Sequence, residues 1–216
     1  MIALLLAAAP IAEMPGGDSV RFNACAQMAK ANPKQALVEA QAWATRSTDV
    51  PARHCLGLAY AANEQWTPAA VAFEQAAATA DSNHDGRAAA LWTEAGNAAL
   101  AGDDPSRART YLDNALNLPV LQGQMRGEAL LDRARADVAV NDLNTARTDL
   151  DAGLTFVPDD PFAWLLSAAL ARRQGDLTRA TKDIAEASKR APDDPEIGEE
   201  IAAIARAKAT LATPPK

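Results

Sequence analysis

The sequence predicts an all-α fold, a solenoid of about five helix pairs closed by one C-terminal helix. Three observations lead there. Trp164, Ala168, Ala180, Ile184, Ala187 and Pro192 repeat, 34 residues later, the positions of Leu130, Ala134, Ala146, Leu150, Gly153 and Pro158. Small residues at fixed places between large apolar ones, at such a period, mark stacked helix pairs. The second observation is punctuation: Pro158-Asp159-Asp160-Pro161 recurs as Pro192-Asp193-Asp194-Pro195. The third is composition. Alanine, the best helix former, dominates the apolar residues, and runs of strand-favouring residues are absent.

The elements follow from that frame. Residues 2–9 form an unbroken apolar run followed by small residues, as in a secretory signal cleaved around residues 9–12, so residues 1–18 are assigned to a signal peptide and short leader. No Lys or Arg precedes Arg21, however. An N-terminal helix of a cytoplasmic protein and a misplaced start codon remain open. The helix pairs fall at about 19–48, 50–83, 89–122, 127–160 and 161–194. In each Pro-Asp-Asp-Pro run the first proline ends a helix, the second aspartate caps the next, and the second proline fits a first turn that needs no amide hydrogen. Gly102-Asp103, Asn141-Asp142 and Gly175-Asp176 mark the turns inside pairs. The offsets between the second, third and fourth pairs are 39 and 38 residues. Such additions go into loops or an extra helical turn. Residues 195–211 read as an amphipathic capping helix presenting Ile197, Ile201 and Ile204, and 212–216 as a frayed tail.

The second pair carries Leu56-Gly57, Tyr60, Ala69, Phe73 and Ala76, and the third Trp92, Gly96, Ala108, Leu112 and Ala115. In this pattern the chain resembles the tetratricopeptide-repeat family. Arg53 stands where the family's Trp is expected, and Arg133 where its Leu is expected. The resemblance implies a right-handed superhelix whose first helices line a concave groove. It would place His54, Leu58, Thr93, Asn97, Leu131, Arg135, Leu165 and Arg172 toward that groove, with Glu128, Phe162 and Arg173 beside them. The groove would take a protein or peptide partner. The several Lys, Arg and Asn residues of a chaperone-type carboxylate clamp are matched only at Asn97, so that clamp is not expected. Cys25 and Cys55 fall on first helices of neighbouring pairs, which pack side by side in this architecture. An exported chain would join them in a disulfide, and a reduced cytoplasm would leave two buried thiols.

The net charge of −7 argues against nucleic acid as a partner. No stretch of about 20 apolar residues suggests a transmembrane helix. His54 beside Cys55 has no second close ligand pair, so no metal site is expected, and His84 falls in a polar loop. No phosphate loop, GxSxG or HExxH motif is present, and no cofactor or catalysis is expected. The expected function is therefore a protein-interaction module, in the periplasm or outside the cell, serving envelope assembly or regulation. A self-associating structural subunit is the alternative. An enzyme or small-molecule sensor would need a closed site joining groups such as His54, Asp132 and Arg135.

If Ala146 and Ala180 mark helix crossings, changing either to Leu should lower stability by about 1–3 kcal/mol through overpacking. An unchanged melting temperature would contradict the register.

Overall fold

The computed structural model describes residues 17–212. Most of the assigned leader and all but the first residue of the tail lie outside these residues, and Gly17 and Asp18 belong to the first helix. The chain divides into an N-terminal unit ending at Ala115 and a C-terminal unit beginning at Leu116.

The N-terminal unit contains α1 (Gly17–Ala31), α2 (Pro33–Ala44), α3 (Val50–Ala62), α4 (Trp66–Ser82), α5 (Ala88–Ala101) and most of α6 (Pro105–Asn117). The C-terminal unit contains α7 (Gly123–Ala139), α8 (Leu143–Phe156), α9 (Pro161–Arg173), α10 (Leu177–Arg190) and α11 (Pro195–Ala212). In the N-terminal unit each helix from α1 to α5 packs on the next, as each from α7 to α11 does in the C-terminal unit, and α1 also meets α3 as α7 meets α9. The larger offsets between middle repeats have two sources. Both α4 and α7 run 17 residues, about a turn longer than most of their neighbours. A loop at 83–87 also separates α4 from α5.

Capping follows the sequence. Asp160 accepts from the Phe162 amide at 2.9 Å, and Asp194 from that of Glu196 at 2.8 Å. Asp104, Asp142 and Asp176 each accept from the amide three residues on, opening α6, α8 and α10. The turns inside the last four pairs share one geometry. Glu64, Asp103, Asn141 and Gly175 all have positive φ, between 57° and 81°. The amide of the next residue then donates to the carbonyl five positions back, from Gln65 to Tyr60, Asp104 to Ala99, Asp142 to Asp137 and Asp176 to Ala171. This arrangement satisfies carbonyls that the helix end leaves without partners. In the third pair the left-handed residue is Asp103; Gly102 is kept small by its neighbours, since a Cβ there would lie 3.2 Å from that of Trp66.

Each pair closes over small residues. A Cβ on Gly57 would collide with the Phe73 ring, and one on Gly96 would lie 2.6 Å from Leu112 Cγ. Ala69, Ala108, Ala146 and Ala180, opposite on the second helices, are fully buried. Only glycine or alanine lets the backbones approach this closely.

The capping helix corrects one expectation. Ile197 and Ile204 are buried, but Ile201 is 45 % exposed. At 100° per residue, Glu200, Ile204 and Ile197 span one stripe, and Ile201 lies just beyond its edge, on the side away from Glu200. Glu200, drawn toward Arg172, sets that stripe.

Cys25 and Cys55 form a disulfide between α1 and α3, fully buried with Trp43, Ala36, Ala40 and Ala59. It closes a separation of 30 residues around the first pair. Replacing both cysteines by alanine should lower the unfolding free energy by about 3–4 kcal/mol, read from denaturant midpoints. An unchanged midpoint would show that α1 is held by packing alone.

Candidate functional site

In the N-terminal unit, His54 lies between the rings of Phe22, 4.7 Å away, and Phe73, 5.9 Å away. Its Nε2 is 2.7 Å from Glu94 Oε2 on α5. This crowded aromatic setting ties three helices together. Leu58 is half-buried. The Thr93 hydroxyl donates to the Ala89 carbonyl at 3.0 Å, so it is used inside α5. Asn97 is exposed.

In the C-terminal unit the groove candidates separate. Leu131 is 3 % exposed and Leu165 8 %, so both belong to the core and leave the candidate surface. Leu131 leans into space left by Gly153, where a Cβ would lie 2.9 Å from its Cδ2. Leu165 packs among Ala187, Ile184 and Ile197. Arg172 is half-buried and engaged in a two-pronged bond to Glu200, at 2.6 and 3.0 Å. That bond raises the guanidinium pKa further and fastens α11 to α9.

What remains open is a slot between α7 and α9. Ala134, Val138, Leu150, Leu166, Ala169 and Leu170 line it, Arg135 and Arg173 flank it, and its volume is about 160 Å³. Arg135 is exposed, donates to Asp132 at 3.0 Å, and holds its guanidinium carbon 5.8 Å from the Phe162 ring centre. Phe162 itself is 41 % exposed. Arg173 is exposed and has no ion-pair partner among the described residues. An apolar concavity with a few charged groups at its margin is the usual form of a recognition site. The repeat position that supplies Arg135 was legible in the sequence; the slot depends on the relative placement of two helices.

The sequence reading also missed a buried polar ladder. Arg133 makes two bonds to Asp149, at 2.6 and 2.8 Å. One repeat later, Ser167 donates to Asp183 at 2.5 Å and accepts from Arg147 Nη2 at 2.9 Å. Arg179 joins Asp183 to Asp151. Burial lowers the Arg147 pKa. In the second pair the corresponding positions are Leu56 and Ala72. The signal was present as a polar residue in place of the expected Leu, with an Asp 16 residues on, in two successive repeats. In the N-terminal unit Tyr111 donates to Glu74 at 2.6 Å, and burial followed by that carboxylate pushes the phenol pKa above its usual range.

Among the described residues no group of three or more His, Cys, Asp or Glu side chains is placed to hold a metal ion. No helix among them is long and apolar enough to cross a membrane.

No family model and no curated protein matches the chain. Solved structures do. YrrB, a tetratricopeptide-repeat protein with an unusual peptide-binding site, is 18% identical with a TM-score of 0.65, over 83% of this chain and 90% of that one. MamA from Desulfovibrio magneticus RS-1 is 14% identical with a TM-score of 0.67, over 82% and 97%. TTC0263, a tetratricopeptide-repeat protein of Thermus thermophilus, is 17% identical with a TM-score of 0.60, over 87% and 98%. The chain therefore has the all-helical tetratricopeptide-repeat fold.

The ladder gives a direct test. Arg133→Ala leaves Asp149 buried without its guanidinium and should cost about 3 kcal/mol. Arg133→Leu with Asp149→Ala, which mimics the second pair, should recover most of that loss in the same denaturation assay. A double variant as unstable as the single one would contradict the pairing.

Proposed function

We propose that this chain is a protein-binding module, not an enzyme, and that it holds a segment of its partner against the first helices of its repeats. Tetratricopeptide folds as a class present such surfaces. YrrB, with the same fold, carries a peptide-binding site. The observation that carries the reading here is the open apolar slot between α7 and α9, flanked by the exposed Arg135 and Arg173. Buried side chains normally close such gaps in a folded domain. An unfilled slot beside exposed cations suits an incoming side chain.

We assign the work to an oxidising compartment, the periplasm or the cell exterior, as part of envelope assembly or regulation. The buried Cys25–Cys55 disulfide supports this, because cytosolic thiols are kept reduced. Thiol trapping in intact cells should find both cysteines protected.

The function is tested by crosslinking the tagged protein in its native host and identifying what is captured by mass spectrometry. The control carries Asn97→Glu, Arg135→Glu and Arg173→Glu, all at exposed positions, with folding checked by circular dichroism. One partner captured in near-equal amount and lost with the variant is the expected result. A partner retained by the variant would remove binding from this face, and capture of only the chain itself would favour self-association.

A further inference from the structure

The slot between α7 and α9 specifies more than the presence of a partner. We infer that it anchors an extended protein segment in which a Leu- or Phe-sized side chain is flanked, two residues away on each side, by carboxylates. This rests on the protein-binding reading above and adds the chemistry of the bound segment.

Size and lining select the anchor. The slot holds about 160 Å³ and its walls are Ala134, Val138, Leu150, Leu166, Ala169 and Leu170. Apolar cavities of about 150 Å³ stay dry and accept a benzene ring, so one branched aliphatic or aromatic side chain fills such a space. The floor is rigid, since Ala134, Leu150 and Leu170 are each at most 2 % exposed.

Charge selects the flanks. The Arg135 guanidinium sits by Phe162 in the first turn of α9, and Arg173 is the last residue of that helix. At 1.5 Å per residue Phe162 and Arg173 lie about 16 Å apart along α9, and the slot lies along that span. An extended chain advances about 3.3 Å per residue and turns alternate side chains to the same face. Residues two before and two after the anchor thus face the helices, about 13 Å apart, within reach of both guanidinium groups once side-chain length is added. Arg173 has no ion-pair partner among the described residues, so a carboxylate there displaces nothing. Arg135 pairs with the half-buried Asp132, but its own side chain is 43 % exposed, so the guanidinium stays open to a second carboxylate. The chain as a whole carries −7, so an acidic segment gains a favourable charge contact only where cations are exposed.

The test uses the full chain, labelled with ¹⁵N, and the peptide acetyl-Gly-Asp-Ser-Leu-Ser-Asp-Gly-amide. Saturable amide shifts are expected at residues 134–138 and 165–173. The peptide with Asn for both Asp residues should bind at least about fivefold more weakly, and the peptide with Ala for Leu at least about tenfold more weakly. Arg173→Gln should shrink the difference between the Asp and Asn peptides, and Ala169→Met, which fills the slot, should abolish binding of both. Equal binding of the Asp and Asn peptides, or of the Leu and Ala peptides, overturns the inference. So does the absence of saturation at 5 mM peptide, about the weakest affinity one anchored side chain would give. If the peptide fails while partner capture is still lost in the surface variant, the segment chemistry falls and the protein-binding function stands. If the peptide binds but no partner is captured, the function falls and the site stands.

Discussion

Everything in this fold depends on how closely the two helices of each pair approach. Gly57 under Phe73 and Gly96 under Leu112 leave no room for a methyl group. The second helices of the last four pairs carry fully buried alanines at 69, 108, 146 and 180. Glycine inside a helix costs about 1 kcal/mol relative to alanine, so its use at two such crossings is explained by space and not by local preference. Once a pair closes, its large apolar residue at the crossing fixes the rotation of both helices. That rotation decides which first-helix side chains are left facing outward.

The two units solve the next problem, joining pair to pair, with different chemistry. In the N-terminal unit the first pair is fastened covalently, by the buried Cys25–Cys55 bridge, and His54 packs between Phe22 and Phe73. The C-terminal unit uses ions instead. Within one pair Arg133–Asp149 holds α7 to α8; between pairs Arg147 and Ser167 tie α8 to α9, and Arg172–Glu200 secures the capping helix. A buried ion pair adds less stability than an apolar contact of the same size, but it tolerates few alternative registers. That property suits alanine-rich helices, whose small side chains interlock weakly.

Helix number, turns and caps were legible because they repeat. Asp160 and Asp194 sit in identical runs, and one tight turn recurs at Glu64, Asp103, Asn141 and Gly175. The choice of Glu64 for a left-handed residue was not legible, since nothing in its composition favours that conformation. The surface was legible only by position. Asn97 and Arg135 are exposed as the repeat implies. Leu131 and Leu165 are not, because Gly153 leaves a hole that Leu131 fills, and Leu165 is enclosed by Ile184, Ala187 and Ile197. Arg172 is engaged by Glu200, a contact across 28 residues that no local pattern reports. Side-chain direction at these sites is set by partners on other helices.

The most direct measurement is a double-mutant cycle at the first glycine crossing, Gly57→Ala with Phe73→Leu, followed by denaturant unfolding. Helix propensity alone predicts that Gly57→Ala stabilises the chain by about 1 kcal/mol. Close approach predicts the opposite sign, a loss of about 1–3 kcal/mol from overpacking against the Phe73 ring. It also predicts that the loss shrinks by more than about 0.5 kcal/mol when Phe73 is already Leu. A stabilising Gly57→Ala whose effect adds to that of Phe73→Leu would contradict the crossing on which the account rests.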